Sequence, residues 1–178
     1  IPALAERAII VDGFSKTFAM TGWRLGYGVM PESLVASFSM LLTNSVSCTA
    51  AFTQEAGIAA LEGSQEGVAA MTASYRRRRD LLVAGLNALP GVSCRTPRGA
   101  FYAFANVTGA CAALGLASAR ELQGRLLEEA GVAVLARSCF GRPCPGEAGQ
   151  YVRFCYATSE GRIGAGLERL RTFFASAS

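Results

Sequence analysis

The sequence contains no histidine and only one lysine, Lys16, among its 17 basic residues. Without histidine, the chain by itself supplies neither a Ser-His-Asp nor a Cys-His catalytic set, and it has no histidine to bind a metal. No apolar run reaches the length of a membrane span, and only 17% of the residues are charged. These absences leave few residues able to carry chemistry, and the lone lysine stands out among them.

The composition is that of a folded chain that can bury a core. It has 178 residues, of which 51% are hydrophobic, and its net charge is +4. Residues 1–7 do not read as a signal peptide, and the spacing of the six cysteines matches no zinc or redox motif. We therefore expect reduced thiols, a cytoplasmic location, no metal site and no membrane partner.

The pattern of apolar residues changes along the chain. Residues 8–11 and 25–29 read as strands, the first of them fully buried, and residues 31–42 and 49–61 read as helices. A long helix is predicted over residues 64–89, and after it strands and helices alternate. Ser118 and Glu121 form a capping box at the start of one of these later helices. The prediction is an α/β chain that ends in a smaller α+β unit.

Lys16 follows the first predicted strand, in a loop of small residues that also contains Arg24. An amine that is partly desolvated stays more in its neutral form, which is the nucleophile that makes Schiff bases. A guanidinium eight residues further on is suited to bind a phosphate. The pair indicates an aldehyde that carries a phosphate, and this description fits pyridoxal phosphate (PLP).

The segment that contains both residues, residues 15–27 (SKTFAMTGWRLGY), resembles the PLP-lysine signature of class I aminotransferases. The resemblance continues through residues 97–102 (PRGAFY) and residues 151–154 (YVRF), so it covers nearly the whole chain. These are fold-type I PLP enzymes similar to bacterial aspartate aminotransferases. Members of that family are longer, and their lysine lies past the middle of the chain. The chain is therefore expected to be the C-terminal part of such an enzyme.

The resemblance implies a domain organisation. Residues 1–76 would be the C-terminal end of the large PLP-binding domain, and residues 77–178 would be the small α+β domain. The predicted helix over residues 64–89 would join the two. The family's aspartate for the pyridinium nitrogen and its ring-stacking aromatic both precede the lysine. We therefore expect this segment alone to be inactive.

The resemblance also implies roles for individual residues. Lys16 would form the Schiff base with PLP and move the proton of the substrate, Arg24 would bind the cofactor phosphate, and Arg153 would clamp the substrate α-carboxylate. Ser15 is a weaker candidate for the phosphate, because many members place their serine three residues before the lysine, where this chain has Gly13. A protein carboxylate paired with Arg153 is the alternative for that residue. Trp23, Phe101 and Tyr102 read as packing residues.

The function implied is transfer of an amino group from an amino acid to a 2-oxo acid, in a homodimer. The alternatives are a PLP-dependent lyase, an aminocyclopropane-carboxylate synthase-like enzyme, or a non-catalytic effector-binding domain of a PLP-fold regulator. The run of four arginines at residues 76–79 points around a helix rather than at one face. Because no second basic patch or stacking aromatics accompany it, we expect a solvated or domain-bridging surface and no nucleic-acid partner.

Overall fold

The computed structural model describes residue 4, residues 6–142 and residues 145–176. The chain divides into two compact units, Ile1–Ala70 and Met71–Ser178. This division falls inside one long helix, α4 (Glu66–Asn87), as does the boundary at residues 76 and 77 expected from the sequence. That domain boundary stays a prediction. None of the helices in the described ranges is long and apolar enough to cross a membrane.

The first unit is a two-stranded ribbon followed by two helices. Its elements are β1 (Ile10–Gly13), α1 (Phe14–Thr17), a 3₁₀ turn (Thr21–Trp23), β2 (Gly26–Val29), α2 (Glu32–Val46) and α3 (Ala51–Glu62). The two strands are antiparallel, with Ile10 opposite Val29 and Gly13 opposite Gly26. The ribbon therefore brings the start and the end of the lysine-containing loop side by side.

The prediction of a fully buried strand at residues 8–11 is wrong for this chain. The strand is Ile10–Gly13, and the side chain of Val11 is 80% exposed. The helix predicted over residues 31–42 is present as α2, yet none of its residues is buried. Apolar patterning shows which surface is to be buried, but it does not show which element buries it. A unit with one two-stranded ribbon and two longer helices has too few layers to cover that surface.

The second unit has a four-stranded antiparallel sheet with strand order β3-β4-β6-β5. Its strands are β3 (Ser93–Cys94), β4 (Tyr102–Asn106), β5 (Leu135–Ala136) and β6 (Tyr151–Cys155). Besides its part of α4, it contains α5 (Thr108–Ala113), α6 (Ala119–Glu128) and α7 (Glu160–Ser176). The core lies between one face of this sheet and these helices, and Leu86, Leu122 and Val152 are fully buried in it.

The capping box predicted from the sequence begins α6. The side chain of Ser118 accepts a hydrogen bond from the backbone N–H of Glu121, at 3.3 Å. In return, the Glu121 carboxylate accepts one from the N–H of Ala117, at 3.0 Å, one residue earlier than in the standard box. The two bonds hold the residues before α6 against its first turn, where the Glu121 N–H also donates to the Ser118 carbonyl at 3.1 Å.

Helix α4 packs against α7 at a glycine. A methyl group added at Gly85 would lie 2.4 Å from Cδ1 of Leu167, a residue that is itself only 3% exposed. Overpacking of a core costs about 1–3 kcal/mol, against about 1 kcal/mol gained from the higher helix propensity of alanine. We therefore expect Gly85→Ala to lower the free energy of unfolding by up to about 2 kcal/mol in denaturant titrations. Gly166→Ala on α7, where the methyl meets no atom within 4 Å, should raise it; equal effects would contradict this packing.

The five described cysteines are free thiols: Cys48, Cys94, Cys111, Cys139 and Cys155. Cys144 lies outside the described residues. Burial raises the pKa of the Cys94 and Cys111 thiols, so these two side chains stay protonated and pack as small apolar groups.

Candidate functional site

The backbone around Lys16 is fixed by Phe14, a buried ring at the start of α1. The Phe14 ring lies 5.4 Å from that of Phe18 and 5.6 Å from that of Tyr27, measured between centroids. Its backbone N–H donates to the carbonyl of Leu25 at 3.2 Å, which ties α1 to the returning strand. Lys16 is therefore held two residues beyond an anchored position.

The side chain of Lys16 is exposed, although the sequence predicts a partly desolvated amine. The reason is the one given for β1: the ribbon that carries the loop has no covering layer in the described part of the chain. The Lys16 carbonyl accepts a hydrogen bond from Ala19, at 3.3 Å, which closes the turn after α1. Local contacts thus fix the backbone of the lysine loop, but they do not shield the Lys16 amine from water.

Arg24 sits at the end of the 3₁₀ turn in a left-handed backbone conformation, with φ 55°. Ala19, at the other side of the turn, has φ 54°. Such values cost a non-glycine residue about 1–2 kcal/mol each and are often found at functional sites. The Arg24 guanidinium donates to the carbonyl of Thr21 at 3.0 Å, and it makes no ion pair within the described residues. Four of its five N–H donors thus remain for a ligand.

A cavity of about 790 Å³ opens beside this turn. Its lining contains a guanidinium and two threonine hydroxyls but no carboxylate, and it is formed by Ala19, Gly22, Trp23, Arg24, Val46, Cys48, Thr49, Ala50, Phe52 and Thr53. A lining with donors and one positive charge suits an anion such as a phosphate ester. Lys16 is not part of this lining.

The other phosphate candidates contribute less. The Ser15 hydroxyl is half-buried and makes no hydrogen bond in the part of the chain that the structure describes. Gly13 stands where many family members have a phosphate-binding serine, and it has only its backbone N–H to offer. This N–H donates to the Asp12 carboxylate at 2.7 Å. Arg24 is therefore the residue of this loop best placed to bind an anion.

Arg153 lies on β6, along which the side chains alternate between the two faces of the sheet. Val152 and Phe154 face the core at 0% and 7% exposure, and Arg153 is on the opposite face, half-buried. Its guanidinium carbon is 4.1 Å from the ring centroid of Tyr102 and 4.5 Å from that of Phe140. The positive charge is thus held between two aromatic rings.

The charge of Arg153 has no protein carboxylate beside it in the described part of the chain, where none lies within ion-pair distance. The five N–H donors of a guanidinium lie in one plane and point outward from its edge. The edge can therefore bind an incoming carboxylate in two parallel hydrogen bonds.

Sequence reasoning missed Phe140 and gave Tyr102 only a packing role. Phe140 ends a 3₁₀ turn (Arg137–Phe140) in a stretch rich in glycine and proline, where no periodicity marks a position. The alternation of β4 places Tyr102 on the same sheet face as Arg153, a signal available in the sequence once the strands are aligned. Lys16 and Arg24 belong to the first unit and Arg153 to the second.

Residues 2–170 match the family model of aminotransferase class I and II. The chain is 39% identical over 174 residues to an aspartate aminotransferase of Rhizobium meliloti, covering 95% of this chain and 41% of that protein. It is 37% identical to the aspartate aminotransferase of Geobacillus stearothermophilus, over 97% of this chain and 42% of the relative.

Solved structures give the same result. The crystal structure of the aspartate aminotransferase from Rhizobium meliloti superposes with a TM-score of 0.87 at 38% identity, over 97% of this chain and 43% of that one. An aromatic aminotransferase from Pyrococcus horikoshii gives 0.86 at 35% identity, over 99% and 45%.

The chain belongs to the class I and II aminotransferase family. It spans about two fifths of the length of the curated relatives it matches. The fold expected from the resemblance, that of the fold-type I PLP enzymes, is confirmed, and so is the expected cofactor, since these enzymes use PLP. The cavity at Arg24, lined by hydrogen-bond donors and no carboxylate, fits the phosphate of that cofactor.

Proposed function

We propose that the complete protein is a PLP-dependent aminotransferase, which moves an amino group from an amino acid to a 2-oxo acid. The observation that carries this proposal is that the chain belongs to the aminotransferase family and that its only lysine lies in the loop that matches the family's PLP-lysine signature. The names of the relatives support an amino acid and a 2-oxo acid as substrates.

Three side chains of the first unit would hold the cofactor. The Lys16 amine would bind its aldehyde carbon, and Arg24 would bind its phosphate from the cavity beside the 3₁₀ turn. Ser15 would add a hydroxyl to the phosphate site. When bound, PLP supplies an electron sink for the carbanion at the substrate Cα, and the protein supplies position and charge.

Lys16 is also the proton-transfer residue of the proposal. The Nζ of Lys16 would take the proton from the substrate Cα and give it to the former aldehyde carbon of the cofactor. This transfer needs an amine within hydrogen-bond reach of both of these carbons, and the anchoring of the backbone at Phe14 supports such a fixed position.

Arg153 would bind the α-carboxylate of each substrate through the edge of its guanidinium. Its contacts with the rings of Tyr102 and Phe140 would limit the rotation of the guanidinium, so that the bidentate contact sets the direction of the Cα–H bond. The side chain of the substrate needs another residue to bind it. Because residues 25–75 contain no lysine or arginine, a basic residue that recognises this side chain would come from elsewhere in the complete protein.

We propose further that the complete protein is a cytoplasmic homodimer. The exposed apolar side chains of α2, such as Leu41 at 62% and Val46 at 69%, support a surface that is covered in the assembled protein. The free thiols of the described cysteines support a reducing compartment.

The test is transfer of a labelled amino group. The complete protein, loaded with PLP, is given a ¹⁵N-labelled amino acid together with an unlabelled 2-oxo acid, over a panel of donors. The expected result is label in the newly formed amino acid and an equal amount of the donor's 2-oxo acid. Labelled ammonia or an elimination product, with no label in the acceptor, would contradict the proposal and indicate a lyase.

A further inference from the structure

A second cluster of positive charge lies in the second unit, where α4 faces the turn before β4. A cavity of about 140 Å³ there is lined by Arg76, Arg79 and Arg98, together with hydroxyl and backbone groups. A water molecule in the liquid occupies about 30 Å³, so this cavity has room for a group of only a few heavy atoms. The proposed function leaves this cavity unused.

The charges around this cavity are unbalanced. Its lining contains three guanidiniums and no carboxylate. Arg79 is paired with Asp80 at 2.8 Å, but Arg76 and Arg98 make no ion pair within the described residues. Like charges that line a small cavity repel one another, and an anion between them turns this repulsion into attraction. The lining is therefore suited to bind an anion.

The walls of the cavity are fixed to one another by hydrogen bonds. The guanidinium of Arg79 donates to the Pro97 carbonyl at 3.3 Å and links the helix to the turn. The hydroxyl of Tyr156, a residue 2% exposed, donates to the Ala100 carbonyl at 3.0 Å and holds the other end of the turn. The backbone at Arg98 is thus part of a turn that is tied at both ends, and its exposed side chain extends from this fixed position.

Two other arginines of the run, Arg77 and Arg78, contact groups other than this cavity, which distinguishes them from Arg76. Arg77 pairs with Glu160 at 3.3 Å, and Arg78 stacks 5.2 Å from the ring centroid of Tyr75. The four positions therefore point around the helix, as the sequence predicts, and those of Arg76 and Arg79 face the cavity.

We propose that this cavity binds a compact oxyanion, a phosphate or the phosphate group of a small ester, with Arg76 and Arg98 as its charged donors. The site is distinct from the proposed cofactor site, whose arginine, Arg24, belongs to the other unit. Phosphate matches two guanidiniums because its oxygens accept several N–H bonds at once.

The test is a titration with inorganic phosphate, in which calorimetry and the melting temperature report binding. A chloride solution of the same ionic strength serves as the control salt. The complete protein is used with Arg24→Gln as the background, which removes the charged donor of the proposed cofactor site and so weakens phosphate binding there. We expect saturable binding that the double change Arg76→Gln and Arg98→Gln weakens by about tenfold or more, which corresponds to 1.4 kcal/mol. A second titration with glycerol phosphate shows whether the cavity prefers free phosphate or a phosphate ester.

Arg77→Gln is the matched control, because it removes the same charge from the same helix at a position already paired with Glu160. It should change the affinity less than twofold, since long-range charge is screened at about 0.1 M salt. Equal weakening by Arg77→Gln would show general charge attraction and overturn the site. No saturable binding in the Arg24→Gln background would also overturn it.

Discussion

Lys16→Ala is expected to lower kcat for amino transfer in the complete protein by at least about 10³-fold, because one change removes both the nucleophile and the proton-transfer group. No other lysine is present in this sequence to replace it. Arginine cannot substitute, because a guanidinium keeps its proton at every pH at which the protein is folded. Steady-state kinetics and a single-turnover experiment measure the loss.

A chemical readout separates this role from a structural one. Borohydride reduction of the wild-type protein with PLP should link the cofactor covalently to a peptide that contains Lys16, and peptide mapping identifies the site. Thr17→Ala, on the same short helix, is the control and should retain the covalent link. Transfer at near wild-type rate by Lys16→Ala, or labelling at another residue, would refute the assignment.

Arg153→Lys should lower kcat/KM for amino acids by about 10²-fold or more. A lysine keeps the charge but loses the planar pair of N–H donors, and its compact ammonium does not stack between Tyr102 and Phe140 as a guanidinium does. The bound carboxylate then no longer fixes the direction of the Cα–H bond, so kcat falls together with the rise in KM. Kinetics with donor and acceptor measured separately test this.

Arg162→Lys is the matched control, since Arg162 is an exposed arginine of the same unit at the start of α7. It should leave kcat/KM unchanged. An amine substrate that lacks the α-carboxylate provides a second comparison, because its already slow reaction should be unaffected by Arg153→Lys. If Arg153→Lys slowed both substrates equally, or neither, the carboxylate role would be wrong.

Local sequence was sufficient to propose much of the candidate site. The run from Ser15 to Tyr27 predicts roles for Lys16 and Arg24 without a structure, because Schiff-base chemistry and phosphate binding each need a particular side chain. The alternation of β6 placed Arg153 opposite the core, because successive strand residues face opposite ways. The capping box at Ser118 was visible for a similar reason, since its bonds join residues three or four positions apart.

Other parts of the site depended on chain segments far apart in sequence. Phe140 contacts Arg153 only because a 3₁₀ turn brings it over β6, and no periodic signal marks such a turn. The cavity between Arg76 and Arg98 forms because α4 and the turn before β4 are held together by Arg79 and Pro97. The left-handed conformation of Arg24 is likewise set by the loop around it, because arginine has no local preference for positive φ.

The sequence by itself predicted which residues could carry chemistry and where most of the long helices lie, because both follow from side-chain type and from spacing over a few positions. Tertiary structure alone decided which surfaces are buried. Residues 8–11 are apolar enough for a buried strand, yet β1 is exposed because burial depends on a second layer that the pattern does not specify. Tertiary structure also decided what surrounds each arginine, since rings, carbonyls and carboxylates reach it from distant parts of the chain.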